Sequence, residues 1–378
     1  MDWVLPPLTM FKPTALILLS GLGLALVSSA AADLPTKEDP RLIPVYSSRR
    51  VWNGIATTRE GRAFASFPSA DGPGVGCEEL FTDGQHHAYP NAQWNSYPGA
   101  SAKHAFVHVN ALRIGPEGDL WIVDAGAAGI GQAAVKGGAR LFQVDLASNT
   151  IRRIYDLARA VHHLTYVDDV RFNRDNAYLT DAGEPGIIIL NLQSGNVRRV
   201  LDGDPSTVDG RDMYADERLL VDADGKSLRA HADQLEISPD GKYFYYQPAS
   251  GPLARIETRW LEDVTLSDSE RSSHVEQWLD TPTSGGTAID ADGNLYLSDT
   301  KERRILKITP DKAVTVLIAD PRLIWSDAMW IDAEGCLWIP ATQQNLTPGF
   351  DHGRQEVRYP VWIYKMQIGA KPAPNDHS

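Results

Sequence analysis

Five oxygen-bearing side chains and one glycine occupy equivalent places in six similar segments of the chain. Each segment has the pattern of a β-hairpin, with alternating apolar residues on both sides of a tight turn that carries Gly or Asn. The segments are residues 53–68, 110–126, 168–183, 233–250, 285–300 and 327–342. Their first residues are Asn53, Asn110, Asp168, Asp233, Gly285 and Asp327. If the six starts meet in space, they form a ring of amide and carboxylate oxygens.

Such a ring favours a hard divalent cation. Clustered carboxylates repel one another, so they need a cation, shared protons or cationic neighbours. Asn and Asp oxygens suit calcium or magnesium, whereas softer metals prefer Cys or His. The predicted cation ligands are Asn53, Asn110, Asp168, Asp233 and Asp327. A bound ion would polarise a lactone or ester carbonyl, with Asp233, or as second choice Asp168, acting as general base on water.

Other residues near the segment starts are candidates for proton transfer or ligand binding. His231 lies two residues before Asp233 and is predicted to assist a proton transfer or to orient the site. The candidate ligand-binding residues are His104, His108, Trp94, Trp325 and Asp327. A structural role is the alternative for all of them, because Asp and Asn often cap turns and aromatic residues often fill the space between sheets.

The spacing of the segments predicts the fold. Their turns lie 42 to 65 residues apart, which is room for a four-stranded sheet with its loops. No long segment has helical periodicity. We therefore predict an all-β, six-bladed β-propeller that forms a single domain over residues 33–368. The innermost strands of a propeller lie along its central axis, so the six segment starts should converge at one mouth of the central channel.

The two ends of this domain should join. Residues 42–52 are predicted to form a strand that completes the last blade beside residues 359–368. Closure of this kind removes free sheet edges, which otherwise invite aggregation. Residues 369–378 are predicted to form a flexible tail.

Composition narrows the range of partners. Asp and Glu exceed Lys and Arg by 13, so nucleic acid is an unsuitable partner. Residues 126–138 are rich in glycine, but they open no βαβ unit, so we predict no nucleotide cofactor. The expected partner is a small-molecule ligand or substrate, and the sequence leaves the oligomeric state open. It also leaves open whether Cys77 and Cys336 form a disulfide.

The first 32 residues have the pattern of a secretory signal peptide. Lys12 supplies positive charge, residues 14–27 are an apolar run, and three alanines at 30–32 offer a cleavage site. An uncleaved membrane anchor is the alternative. We therefore expect a secreted or periplasmic protein that has no membrane association after cleavage.

Several segments resemble the royal jelly protein and Yellow family. They are VWNGIATTREGRAFASFP (51–68), AYPNAQWNSYPG (88–99), VNALRIGPEGDLWIVDAG (109–126), ISPDGKYFYYQPASGPLARIETRWL (237–261) and AIDADGNLYLSDTKERRILKI (288–308). The resemblance covers residues 51–368 and implies a secreted six-bladed propeller. The chain lacks the four-cysteine pattern of insect members, which indicates a microbial-type relative. A more distant resemblance is to the gluconolactonase-like propellers, which hold a divalent cation in the channel.

The family resemblance implies several activities, among them nutrient storage, binding of small aromatic amines and melanin-type indole chemistry. Together with the ring, it favours a protein that binds or acts on a small molecule in its channel. The leading hypothesis is a metal-assisted, lactonase-like hydrolase or a dopachrome-type isomerase. The alternatives are a non-catalytic carrier of aromatic or amine ligands, or a protein-interaction scaffold. Whether the protein is an enzyme at all is left open.

Overall fold

The computed structural model describes residues 1–4 and 34–374. Apart from its first four residues, the predicted signal peptide therefore lies outside the described residues. The chain divides into two units, Met1–Asp33 and Leu34–Ser378, and the propeller lies in the second. Within the described ranges, no helix has the length and apolar character needed to cross a membrane.

Six four-stranded antiparallel sheets form the blades of a β-propeller, which confirms the predicted fold. Blade 1 contains β2 (Ile55–Thr57), β3 (Ala63–Ser66), β4 (Cys77–Leu80) and β5 (His86–Ala88). Blade 2 contains β6 (Val109–Ile114), β7 (Leu120–Asp124), β8 (Arg140–Asp145) and β9 (Thr150–Asp156). Blade 3 contains β10 (Val167–Asn173), β11 (Asn176–Asp181), β12 (Gly186–Asn191) and β13 (Val197–Val200). Within each of these blades, the strands follow chain order from the inside to the outside.

The remaining blades differ in their connections. Blade 4 contains β16 (Ala232–Ile237), β17 (Tyr243–Pro248), β18 (Leu253–Glu257) and β19 (Glu276–Leu279). Blade 5 contains β20 (Thr287–Ile289), β21 (Leu295–Asp299), β22 (Arg304–Ile308) and β23 (Val314–Ala319). Blade 6 contains β24 (Trp330–Ile331), β25 (Cys336–Ala341), β26 (Val361–Gln367) and β1 (Ile43–Ser48). A small ribbon of β14 (Tyr214–Ala215) and β15 (Arg218–Leu219) lies between blades 3 and 4 in the chain. The helices are α1 (Thr258–Glu262) and α2 (Asp268–Ser272), with 3-10 turns at Pro116–Gly118, Ala158–Ala160 and Gln344–Leu346.

The N-terminal strand closes the ring, as predicted. Strand β1 pairs antiparallel with β26, so that Ile43 lies opposite Lys365 and Ser48 lies opposite Val361. The sheet order β1-β26-β25-β24 therefore joins the two ends of the domain in one blade. Because the first and last strands hydrogen-bond each other, the blade cannot open without the loss of a full strand pairing.

Aromatic side chains fill the space between neighbouring blades. Trp121 of blade 2 packs against Phe172 of blade 3, with ring centroids 4.8 Å apart. A Cβ atom at Gly115 would lie 2.6 Å from Phe172 and 2.7 Å from Trp121. Gly115 therefore permits the close packing of the two rings, and burial of such rings is a large part of the stability of the fold.

A set of Asp–Arg pairs fixes the second strand in three of the blades. Each aspartate ends its strand, is at most 3 % exposed, and contacts an arginine of the same blade. The pairs are Asp124–Arg140 at 2.8 Å, Asp181–Arg199 at 2.7 Å and Asp299–Arg304 at 2.8 Å. Each carboxylate also accepts hydrogen bonds from main-chain N–H groups. These aspartates thus hold loops in place and lie outside the ring.

The two cysteines are buried free thiols in the described structure. The disulfide that the sequence left open is therefore not formed in this fold. At the C-terminus, the described part of the segment predicted as a tail lies against blade 5. The N–H of Ala291 donates to the carbonyl of Lys371 at 2.9 Å, and Ala373 is only 1 % exposed.

Candidate functional site

The six segment starts converge on the channel. The inner strands β2, β6, β10, β16, β20 and β24 contact one another in ring order. At one mouth of the channel they surround a pocket of about 300 Å³. Its lining includes Asn53, Asn110, Asp168, Asp233, Gly285 and Asp327. The structure thus brings together every residue of the predicted oxygen ring, and we name this set the oxygen ring.

β-Bulges aim three members of the oxygen ring into the channel. The pairing of the first two strands shifts register in blades 2, 3 and 4. The shifts lie between Val109 and Ala111, between Val167 and Val170, and between Ala232 and Leu235. A bulge adds a residue to one strand and redirects its side chains. Asn110, Asp168 and Asp233 lie within these three bulges, which accounts for their convergence.

Glycine is required at the blade 5 position of the ring. A Cβ atom at Gly285 would lie 2.4 Å from the carbonyl oxygen of Ser326 and 3.0 Å from Nε1 of Trp325. The missing side chain lets Trp325 approach the ring, where its Nε1 donates to Oδ2 of Asp327 at 2.8 Å. Trp325 itself has a φ of 49°, an unfavourable conformation for a bulky residue.

A hydrogen-bond chain positions Asp168. Nδ2 of Asn110 donates to Oδ1 and to the carbonyl oxygen of Asp168, at 2.8 Å and 3.0 Å. Oδ1 of Asn110 must therefore be the atom that accepts from the hydroxyl of Tyr166, at 2.7 Å. The Nε2 of His108 lies 2.8 Å from the same hydroxyl, so the imidazole extends the chain to a third residue. His108 thus helps to position Tyr166 and, through it, Asn110.

Burial keeps His108 neutral. Desolvation lowers its pKa to about 4, so at neutral pH the imidazole is uncharged. Tyr166 is a site residue that the sequence analysis missed. The signal for it exists: Tyr166 precedes Asp168 by two residues, as His108 precedes Asn110 and Trp325 precedes Asp327.

Three of the predicted residues lie elsewhere. Trp94 packs against Phe142 between blades 1 and 2, with ring centroids 5.3 Å apart, as the interblade alternative describes. His104 is exposed on a loop. His231 turns away from the pocket, and its Nδ1 accepts a hydrogen bond from the N–H of Asp209 at 3.1 Å. The lining of the pocket includes none of the three, so its geometry lends no support to ligand binding by Trp94 and His104 or to proton transfer by His231.

The three carboxylates of the oxygen ring lie deep in the channel, where Asp327 is buried and Asp168 and Asp233 are partly exposed to the pocket. Burial raises the pKa of Asp168, Asp233 and Asp327, and repulsion between neighbouring carboxylates adds to the effect. A hydrogen bond between the two carboxyl groups lowers the pKa of Asp168 and raises that of Asp233. The donors that we observe at these carboxylates are neutral groups: the amides of Asn110, Gln234 and Gln344, the indole of Trp325 and the N–H of Ala328.

The carboxylates next to the oxygen ring, unlike those of the ring, form ion pairs with arginines. Arg113 contacts Asp169 at 2.6 Å, and Arg171 contacts both Asp169 at 2.7 Å and Glu236 at 2.8 Å. Thr287 donates to Glu236 at 2.8 Å, so this network links blades 2, 3, 4 and 5, and we name it the charged belt. Burial alone would raise the pKa of Asp169, but the two arginines hold it well below its usual range. Inside the belt, two arginines therefore balance two carboxylates.

A small cavity of about 10 Å³ adjoins the oxygen ring on the channel axis. We name it the axial chamber; the oxygen ring lines it together with Ala111, Asp169, Gln234, Gly286, Thr287 and Ala328. Its volume is that of roughly one water molecule. Oε1 of Gln234 is buried and has no hydrogen-bond partner within the described ranges. An unpartnered buried oxygen beside three carboxylates with neutral donors is an environment that fits calcium or magnesium.

Amide oxygens would have to complete such a cation site. In the part of the chain that the structure describes, no group of three His, Cys, Asp or Glu side chains is arranged to hold a metal ion. The carboxylates of the ring are interleaved with Asn53, Asn110 and Gln234. The donor set is therefore one of mixed carboxylate and amide oxygens, which is typical of calcium and unlike a zinc site.

Loops form an apolar wall on the other side of the pocket. The long insertion of residues 202–232 between blades 3 and 4 contributes Met213 and Leu228. The glycine-rich segment 126–138 contributes Ile130, and Phe350 packs edge-on against Trp325 at 5.5 Å. The pocket is thus acidic at the oxygen ring and apolar at the wall, so it suits a small molecule with a polar or cationic end and an apolar body.

The buried carboxylates predict the pH dependence of stability. Folding raises the pKa of these carboxyl groups above the value of about 4 that they have in the unfolded chain. At a pH between the two pKa values, the folded protein keeps protons that the unfolded chain has lost. The stability of the metal-stripped protein should therefore be highest near pH 5 and fall as pH rises through the folded pKa values. Thermal unfolding followed by circular dichroism between about pH 5 and pH 8 measures this trend. Asp169 behaves in the opposite way, because its pKa is lowered by folding and its ionised form stabilises the folded state. This stabilisation is lost only below about pH 4.

Calcium provides the matched control for this measurement. With the cation bound, the carboxylates stay ionised and the decline with pH should be smaller. A decline of equal size with and without calcium would show that the oxygen ring is not its source.

Comparisons with known proteins identify one matching family and several solved structures of similar fold. The family model of the major royal jelly proteins matches residues 107–373. No curated protein sequence matches the chain. A luciferin-regenerating enzyme shares 11 % identity and a TM-score of 0.55, and the match covers 89 % of this chain and 98 % of that chain.

Two further solved structures share the fold. A gluconolactonase from Xanthomonas campestris has 14 % identity and a TM-score of 0.51, with 86 % of this chain and 89 % of that chain covered. The calcium-binding protein regucalcin from Agrobacterium tumefaciens has 12 % identity and a TM-score of 0.51, with 89 % and 94 % covered. At this identity the structural neighbours establish the propeller fold alone. The family model matches most of the chain, and the chain therefore belongs to the major royal jelly protein family.

Proposed function

We propose that this protein binds a small molecule in the pocket at the channel mouth and hydrolyses a lactone or ester with the help of a divalent cation. One observation carries the proposal: Asp168, Asp233 and Asp327 line the same pocket, and their observed hydrogen-bond donors are neutral. A cluster of this kind is costly unless a positive charge joins it. That a gluconolactonase and a calcium-binding protein share the fold agrees with the proposal.

The ligands of the cation would be oxygen atoms of Asn53, Asn110, Asp168, Asp233 and Asp327. When bound, the cation supplies Lewis-acid polarisation of a carbonyl oxygen. Asp233 accepts the proton of the attacking water, and Nε2 of Gln234, 2.7 Å from Oδ1, holds that carboxylate in place. Asp168 is the second candidate for the base. An isomerisation by proton transfer would use the same two carboxylates.

The chain also positions the substrate. The apolar side chains of Ile130, Met213, Leu228 and Phe350 would contact its hydrocarbon part and exclude water from the reacting end. His108 and Tyr166 keep Asn110 in the orientation that presents its amide to Asp168. Their role is to position the ring, because both are already engaged in hydrogen bonds.

A second candidate function is the carriage of a small aromatic amine without catalysis. The observation that favours it is the opposition of an acidic ring and an aromatic wall formed by Trp325 and Phe350. An ammonium group would then take the place of the metal ion and pair with the carboxylates, while its ring packs against the indole.

One experiment separates the two functions. The purified protein is analysed for bound metal, and lactone and indole substrates are then screened with and without a chelator. Bound calcium or magnesium, together with turnover that the chelator abolishes, would support the hydrolase or isomerase. Tight binding of aromatic amines by metal-free protein, without turnover of any substrate, would support the carrier and overturn the hydrolase.

Export of the protein remains a proposal from the sequence of residues 1–32. An exported protein would meet millimolar calcium in many extracellular fluids, a concentration that suits the weaker calcium sites of extracellular modules. N-terminal sequencing of the protein recovered from the producing cells would show whether the chain begins at Asp33.

A further inference from the structure

We infer that Gln234 is an additional ligand of the cation, and that its Oε1 coordinates an ion held at the axial chamber. The inference rests on the cation of the proposed function and assigns a ligand outside the five predicted ones. It also places the ion on the side of the oxygen ring that faces the charged belt.

The amide oxygens around the axial chamber differ in whether they accept a hydrogen bond. Oδ1 of Asn53 accepts a hydrogen bond from Gln344, and Oδ1 of Asn110 accepts one from Tyr166 at 2.7 Å. Oε1 of Gln234 accepts none from any residue in the described ranges. A buried carbonyl oxygen without a partner is rare and costly, so it indicates a missing positive or proton-donating group.

The orientation of the Gln234 amide is fixed. Its Nε2 donates to Oδ1 of Asp233 at 2.7 Å and to the carbonyl oxygen of Ser284 at 2.8 Å. With both N–H groups engaged, the amide cannot be flipped without losing these bonds, so Oε1 is the atom that remains. Gln234 is only 4 % exposed, which leaves bulk water unable to satisfy this oxygen.

The bulge in β16 explains why two successive residues reach the same site. In a regular strand, Asp233 and Gln234 would point to opposite faces. The register shift between Ala232 and Leu235 breaks this alternation. Both side chains consequently line the axial chamber, so a single bulge supplies a carboxylate and an amide oxygen. Hard cations such as calcium accept both kinds of oxygen.

Europium(III) is a suitable probe, because it replaces calcium at oxygen sites and its luminescence lifetime reports the number of bound waters. The test variant is Gln234→Met, which preserves the size of the side chain and removes the oxygen. The control variant is Gln247→Met. Gln247 is fully buried in the neighbouring strand β17 and also has an unpartnered amide atom, but it binds Thr281 and lies outside the chamber.

If Gln234 is a ligand, water fills its position in the variant. We expect Gln234→Met to raise the number of europium-bound waters by about one, because hard ions keep water at positions that the protein leaves open. Calcium affinity measured by calorimetry should fall about 10- to 100-fold. Gln247→Met should change neither quantity. Gln234→Glu, which restores an oxygen, should return the water count to that of the wild type.

The readouts separate ligation from an indirect effect on Asp233. A loss of affinity with an unchanged water count would overturn the inference, because Gln234 would then act only through its bond to Asp233. Wild-type affinity and water count in Gln234→Met would overturn it as well, while leaving the proposed function intact. Absence of calcium and europium binding to the wild-type protein would overturn the proposed cation itself, and this inference with it.

Discussion

Asp233→Asn should abolish the hydrolysis of any lactone or ester substrate while the propeller stays folded. Asparagine keeps the size of the side chain and can still hydrogen-bond Asp168, but it cannot accept a proton from water. It also removes one of the negative charges that attract the cation. Since loss of an outer hydrogen-bond partner alone costs about 10- to 100-fold in metal affinity, loss of this carboxylate should cost at least roughly 100-fold.

The same substitution should stabilise the cation-free protein at alkaline pH. Burial and the charges of Asp168 and Asp327 raise the pKa of Asp233, so its ionisation is unfavourable in the folded state. The measurements are steady-state kinetics, calcium calorimetry and thermal unfolding after metal removal. Asp240→Asn is the control, because Asp240 is an exposed turn residue of the same blade. Unchanged turnover in Asp233→Asn would remove Asp233 from the mechanism.

Arg171→Met should cause a large loss of stability. Arg171 is 1 % exposed and holds both Asp169 and Glu236 of the charged belt. Removal of one partner from a buried ion pair leaves carboxylates without compensation in a medium of low dielectric constant. We expect the free energy of unfolding to fall by about 3–5 kcal/mol. Urea denaturation monitored by tryptophan fluorescence measures this change.

Arg152→Met is the matched control for the belt. Arg152 also contacts several carboxylates, including Glu117 at 2.6 Å, but its side chain is 44 % exposed. Exposed ion pairs contribute about 1 kcal/mol or less, so this variant should unfold close to the wild-type midpoint. Similar losses of unfolding free energy in both variants would show that burial does not increase the contribution of the belt to stability. A stable Arg171→Met protein would mean that water or a rearranged partner compensates the two carboxylates.

The belt and the oxygen ring also differ in what they can bind. In the belt, Arg113 and Arg171 match the charges of Asp169 and Glu236, so the network is complete without a ligand. In the ring, the observed hydrogen-bond donors are neutral, although the positive charge of Arg171 lowers the pKa of Asp168. Under the proposed function, the two acidic clusters, adjacent in sequence at Asp168 and Asp169, have separate roles, one in binding and one in stability.

The sequence by itself determined the blade count, the closure of the ring and the membership of the oxygen ring. These features depend on local patterns: alternation of apolar residues, a turn with Gly or Asn, and the recurrence of Asn or Asp at the same place before it. In a propeller, equivalent residues of such repeats meet at one mouth of the channel, because each repeat starts at the same end.

Only the tertiary structure decided which side chains near the ring reach it. His108, Tyr166 and Trp325 line the pocket, whereas His231, at the equivalent position in blade 4, turns towards Asp209. The difference arises from the contacts of each loop with distant parts of the chain, which local sequence does not encode. The bulges that direct Asp168 and Gln234 have the same origin, because register is a property of two strands and neither strand determines it alone.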